Sequence, residues 1–225
     1  MTKRDFWASV ILFALFIPIF LYQDQAISSY FYEDGAFVDS FWVKAWFWFG
    51  AKAGLSIAIS CLLVWCLSFY IKKWKRARFV AIYLFLVMSL GSGVIINLGF
   101  KDNWGRPRPV QTKMFGGNQE FSPFYQPNFT NPLPSKSFPS GHVSVGGFFF
   151  SLYFLGNKYR EKWLRNLGVI LVIILVGALG SGRIMQGGHF FSDVISSAFL
   201  MWLVSGGLLN LLSHYTTSKW LESKE

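Results

Sequence analysis

Six apolar runs divide the chain, at residues 6–22, 53–71, 79–100, 142–156, 167–185 and 190–212, and polar or charged stretches separate them. A helix that crosses the hydrocarbon of a bilayer needs roughly 20 predominantly apolar residues. The pattern therefore predicts an all-α, polytopic membrane protein of six transmembrane helices in a single domain, 1–225, with the fourth run the shortest. Residues 37–49 are rich in Trp and Phe but carry Asp39 and Lys44, which favours an aromatic helix lying at the interface over a seventh span. Pro18 interrupts the first run and predicts a kink there. Lys3 and Arg4 precede that run without a small-residue cleavage site after it, so it reads as an uncleaved anchor.

Between the third and fourth runs, residues 101–141 hold seven of the eight prolines together with Gly116 and Gly117, which excludes a regular helix. Trp104, Phe115, Phe121, Phe124, Tyr125, Phe129 and Phe138 are spread through the same stretch. So many aromatic residues predict a folded loop capping the protein at the membrane surface rather than a disordered one.

Composition agrees with the runs: 53% of residues are hydrophobic, 20% aromatic and only 14% charged. The net charge of +10 raises the question of nucleic acid, and its distribution answers it. Thirteen of the 21 Lys and Arg fall at alternate ends of the predicted helices: Lys3 and Arg4; Lys72, Lys73, Lys75, Arg76 and Arg78; Lys158, Arg160, Lys162 and Arg165; Lys219 and Lys224. That is the positive-inside pattern, with both termini and a short tail after His214 in the cytoplasm, and no nucleic-acid partner is expected. Lys101, Arg106, Arg108, Lys113, Lys136 and Arg183 fall on the opposite, outer side, where the topology rule disfavours cations, and an anionic ligand is the expected reason. Cys61 and Cys66 lie in one span at neither a helical-face nor a metal-ligand spacing and read as packed thiols.

Three chemically rich stretches share that outer face. Lys101 and Arg108 open the loop, Ser140-Gly141-His142 closes it, and Arg183, His189 and Asp193 lie between the last two runs. Helix amino termini with small residues bind phosphate through free N–H groups, and Arg offers phosphate oxygens a planar fork. A phosphate ester or pyrophosphate is the anion these residues would suit. If His189 begins a helix, Asp193 follows one turn later on the same face and would hold one ring nitrogen while the other is left free to attack.

In order and spacing, Lys101-x6-Arg108-Pro109, Pro139-Ser140-Gly141-His142 and Arg183-x5-His189-x3-Asp193 resemble the three-part motif of the type 2 phosphatidic acid phosphatase superfamily. The resemblance implies a metal-independent phosphatase without a cofactor. In it His189 would be the nucleophile and form a phosphohistidine, with Asp193 orienting it. His142 would serve as acid and then base, and Lys101, Arg108, Ser140, Gly141 and Arg183 would bind the phosphate. One departure is visible: the family's Ser before the motif Arg is Gly182 here, with Ser181 one place earlier. The wording around the motifs is most similar to bacterial phosphatases acting on lipid A, which implies the inner membrane and a site facing the periplasm. Phosphatidylglycerophosphate, undecaprenyl pyrophosphate and transfer of phosphate between lipids remain alternatives, as does an anion or lipid transporter outside the enzyme class.

Overall fold

The computed structural model describes residues 3–130 and 135–222, so Lys224 and the end of the predicted cytoplasmic tail lie outside the described residues. Helix α1 (Lys3–Ser29) leads through a hairpin, β1 (Tyr32–Glu33) and β2 (Ala36–Phe37), into α2 (Phe41–Leu67). The hairpin turns on Asp34 and Gly35, both at positive φ as a tight two-residue turn requires. Helix α3 (Arg78–Leu86) then continues as a π-helical segment over Val87–Lys101. After the loop come α4 (Gly141–Gly147), α5 (Phe150–Tyr159), α6 (Lys162–Met185) and α7 (Phe191–Glu222).

Among the described residues, four helical stretches are long and apolar enough to cross a membrane: Phe41–Leu67, Lys72–Lys101, Lys162–Met185 and Phe191–His214. A fifth is added if the two halves of α1, Lys3–Phe20 and Tyr22–Ser29, count as one span bent by 59°. The bend falls within one turn after Pro18, whose ring removes a backbone donor and crowds the preceding turn. Outward faces carry large exposed apolar side chains, among them Leu15, Leu55 and Ile173, as lipid contact demands.

Two expectations are corrected. Residues 41–49 do not form a separate interfacial helix but are the first turns of α2. Its start is set by Ser40, whose hydroxyl accepts from the Val43 N–H at 3.4 Å, and Asp39 and Lys44 pair at 2.8 Å beside it. The polar residues that looked like an interruption therefore sit at a helix end. The run 142–156 is two helices, α4 and α5, broken at Phe148 and Phe149. Here α4 lies tightly against its neighbours: a Cβ on Gly146 would come within 2.8 Å of the Val176 amide in α6.

The main core joins the π-helical segment, α4, α5 and α7 through Val87, Ile96, Val145, Leu155 and Met201. A second cluster seats the loop: Phe124 and Phe138, with Trp104 beside them, pack on Phe20 of α1 and Phe191 of α7. The Trp104 indole N–H donates to the Phe124 carbonyl at 2.8 Å, so the aromatic residues of the loop are ordered against the helix ends that carry the chemistry.

Candidate active site

Helix α7 begins at Phe191, two residues later than the spacing suggested. The Asp193 carboxylate accepts the Phe190 backbone N–H at 2.8 Å, the N3-to-cap half of a capping box, and His189 is held just ahead of the helix. Its ring is fully buried. Nδ1 faces the Ser137 carbonyl at 2.6 Å, while the nearer Asp193 oxygen stands 3.7 Å away. A carbonyl can only accept, so Nδ1 carries the proton and Nε2 the lone pair. Asp193 is itself saturated by Arg106 Nη1 at 2.5 Å, the Ser137 hydroxyl at 2.6 Å and the Phe190 amide. Asp193 thus stands within ion-pairing distance of Nδ1 and also acts through a relay: it holds the Ser137 hydroxyl, and the Ser137 carbonyl holds the imidazole.

Burial pulls His189 down from its ordinary 6.5 to about 3, with Arg183 adding in the same direction and Asp193 opposing. The imidazole is therefore neutral throughout the physiological range. Between 6.5 and 3 an unfolded chain would bind a proton that the fold does not, so the stability contributed by the neutral ring is complete above 6.5 and is lost as pH falls toward 3. The thermal midpoint in detergent should fall between about pH 7 and pH 5, and fall less in His189→Gln, which has nothing to titrate. Equal slopes in the two proteins would remove His189 from the acid sensitivity.

The six cations expected on the outer side divide into two groups. Lys113 pairs with Glu120, Lys136 with Asp102 at 2.7 Å, and Arg106 is buried between Asp24 at 2.7 Å and Asp193. Arg106 therefore cannot contact an anionic ligand, a correction to the expectation drawn from charge alone. Lys101, Arg108 and Arg183 have no carboxylate within ion-pairing distance among the described residues. Arg183 reaches Gln186 Oε1 at 2.5 Å, lies over the Phe47 ring at 5.1 Å and rests on Gly188, where any side chain would run into its guanidinium. The His142 ring also stacks on Phe47, at 4.8 Å. Lys101 Nζ would stand 3.3 Å from a Cβ at Gly141, so it lies beside the start of α4. Loop and helix ends are stitched by the Val110 amide to the Gly187 carbonyl at 3.1 Å and by the Ser197 hydroxyl to the Ser140 carbonyl at 2.7 Å.

Four buried polar atoms of these residues have no partner: Ser140 Oγ, His142 Nε2, Arg183 Nε and His189 Nε2. Each unsatisfied buried group costs about 1–3 kcal/mol; the Ser140 hydroxyl and Arg183 Nε are donors that the oxygens of an anion would satisfy, whereas the His189 Nε2 lone pair is left for an electrophile. Two clefts flank the cluster. One of about 470 Å³ runs from Lys101, Gly141 and His142 along Gly50, Gly54, Leu55 and Ala58 of α2. The other, about 360 Å³, is lined by Arg108, Arg183, Gln186 and Gly188. Phe47 lines the second, and His189 lines neither.

A family model described as the PAP2 superfamily matches residues 80–216, which include all three stretches. The chain belongs to the PAP2 superfamily. It is accordingly a phosphatase, a phosphoric monoester hydrolase. A lipid A 4'-phosphatase of Francisella tularensis subsp. novicida (strain U112) is 30% identical over 84% of this chain and 86% of its own length. A lipid A 1-phosphatase of Rhizobium etli is 33% identical over 73% of the chain and 66% of its own length, and a lipid A 4'-phosphatase of Rhizobium leguminosarum 34% over 52% and 47%. No solved structure matches.

Several parts of this PAP2 site were not read from the sequence. Asp24, Ser137, Ser192 and Phe47 gave no local pattern, although a carboxylate at the end of an apolar run, as Asp24 is, marks a candidate by itself. At the family's Ser position, Gly182 supplies no hydroxyl. Ser181 does not replace it, being exposed and turned back to the Ala178 carbonyl at 3.3 Å. Among the described residues no group of three or more His, Cys, Asp or Glu is arranged to hold a metal.

Proposed function

We propose that the protein removes a phosphate monoester from lipid A at the periplasmic face of a bacterial inner membrane, through a phosphohistidine on His189. The single observation that carries the mechanism is the unpartnered Nε2 of a buried, neutral His189 among three cations free of carboxylates. Nε2 attacks phosphorus, and His142, made cationic by a proton that the incoming phosphate monoester brings, protonates the departing lipid oxygen from Nε2. Deprotonated by that step, His142 then takes a proton from the water that hydrolyses the phosphohistidine. Lys101, Arg108 and Arg183, with the Ser140 hydroxyl and the Gly141 amide, hold the non-bridging oxygens and offset the charge that builds in the transition state. Asp193, through Ser137 and by its own charge, favours the ring's positive form as the N–P bond closes.

The substrate is a lipid because the cleft that begins at Lys101 and His142 continues along the apolar helix α2 to Leu55 and Ala58, where an acyl chain would fit. Lipid A is favoured by relatives that carry that name over most of this chain. In this reading α1, α2, α3 with its π-helical extension, the α4–α5 pair, α6 and α7 make six crossings, both termini are cytoplasmic, and the loop 101–141 caps the outer face.

Release of inorganic phosphate by purified protein, with chelator present, from lipid A and from phosphatidylglycerophosphate side by side tests the assignment. The expected result is a preference for lipid A of about tenfold or more. Preference for phosphatidylglycerophosphate would keep the site and discard the substrate, and label appearing on a second lipid instead of in phosphate would identify a transferase. Binding without release from either lipid would leave a carrier.

A further inference from the structure

Two carboxylates and one guanidinium are buried together next to the site, and of the three only Asp193 stands within ion-pairing distance of His189. Arg106 lies with its side chain wholly inside the protein. Its Nη1 donates to Asp193 at 2.5 Å and to the Ser192 hydroxyl at 2.8 Å, its Nη2 to Asp24 at 2.7 Å, and its Nε to the Ser122 carbonyl at 2.9 Å. Asp24 also takes the Ser192 amide at 2.8 Å and the Ser192 hydroxyl at 2.5 Å. The guanidinium face lies 4.5 Å from the Phe190 ring, next in the chain to His189. Asp24 belongs to α1, outside the residues matched to the family and far from every stretch that carries the motifs.

Buried ions in such numbers are rarely a gain in stability over apolar packing. What this arrangement supplies is direction. A planar fork bound at both ends cannot rotate, so Asp24 fixes Arg106, Arg106 fixes the Asp193 carboxylate, and Asp193 fixes the Ser137 hydroxyl, whose carbonyl holds His189 Nδ1.

We infer that Asp24 is a positioning residue for His189, acting through Arg106 and Asp193 and tying the reach of the nucleophile to the seating of α1. It rests on the reading of His189 as nucleophile. Asp24 keeps the carboxylate end of the relay aligned while the ring changes charge, so its loss shows in the chemical step and not in the capture of substrate.

The test is Asp24→Asn, an isosteric change that retains an acceptor for Ser192 but gives up the charge opposite Arg106. Turnover is counted per folded molecule, with folding followed by thermal melting in detergent, on the same lipid that the wild type dephosphorylates. A fall in kcat of roughly 10- to 100-fold is expected, the size seen when a reacting group is misplaced by about 1 Å, with KM within about threefold. Formation of acid-labile phosphoenzyme should slow by the same factor. Arg106→Lys, which keeps a charge but cannot bridge two carboxylates, should show the same split. Ser192→Ala removes the hydroxyl shared by Asp24 and Arg106 while leaving both charges, and should lower kcat more mildly; it reads the coupling even where Asp24→Asn fails to fold. Wild-type kcat in folded Asp24→Asn or in Ser192→Ala overturns the inference, as does a loss confined to KM or to melting temperature. His189→Ala run in parallel separates the two claims: activity in that variant defeats the nucleophile assignment, whereas an inactive His189→Ala beside a fully active Asp24→Asn defeats this inference alone.

Discussion

Phosphate release by His189→Ala is expected to fall by about four orders of magnitude or more in kcat, the scale on which removal of a covalent nucleophile is felt. The ring is buried, neutral and held by one nitrogen, so its only unused capacity is the Nε2 lone pair. Alanine removes that lone pair and leaves the three cations in place. Substrate capture should survive, and the variant should compete for lipid without turning it over. The Ser140 hydroxyl is also unpartnered, but it has no base within hydrogen-bonding distance to take its proton. The measurement is single-turnover formation of acid-labile phosphoenzyme together with steady-state release. Turnover within about tenfold of wild type would transfer the nucleophile's role elsewhere.

How much of this was legible in the sequence depends on how local each signal is. The long helices α2, α6 and α7 follow from unbroken apolar runs, because hydrocarbon imposes length without asking for a partner. The division of 142–156 was not legible: a Gly146-Gly147 pair is tolerated inside a helix, and only the closeness of α6 and α7 decides that the chain breaks after it. Neither was the π-helical register of Val87–Lys101, since hydropathy carries no record of which carbonyl an amide chooses. The histidines and cations proposed for the site come from three stretches far apart in the chain, and each stretch carries its own local pattern. Arg106 was misread because counting charges cannot distinguish a free cation from a neutralised one; its two partners lie 82 and 87 residues away in the chain. Asp193 was recognised, but its link to His189 through Ser137 depends on a loop that returns from another part of the fold.

Removing the His142 ring separates the two halves of the proposed reaction. Its Nε2 is buried without a partner, and its ring is stacked on Phe47, which also meets Arg183. The imidazole cannot swing away without giving up that contact, and it faces the cleft through which a lipid headgroup would arrive. In His142→Ala the departing alkoxide of a lipid has no proton donor, and kcat is expected to fall by roughly 10²–10⁴-fold, the usual worth of a positioned acid or base. An aryl phosphate such as p-nitrophenyl phosphate leaves as a stabilised phenolate and does not need that proton. With it, phosphorylation of His189 should be nearly normal while hydrolysis of the phosphohistidine, which needs His142 as base, remains slow. The variant should therefore give a burst of p-nitrophenol equal to one equivalent of enzyme and accumulate acid-labile phosphate on His189. A wild type that lacks the burst beside a variant that shows it would assign His142 to both steps. Equal losses on the lipid and the aryl ester, with no phosphoenzyme trapped, would instead mean that His142 only shapes the cleft and that the proton comes from water.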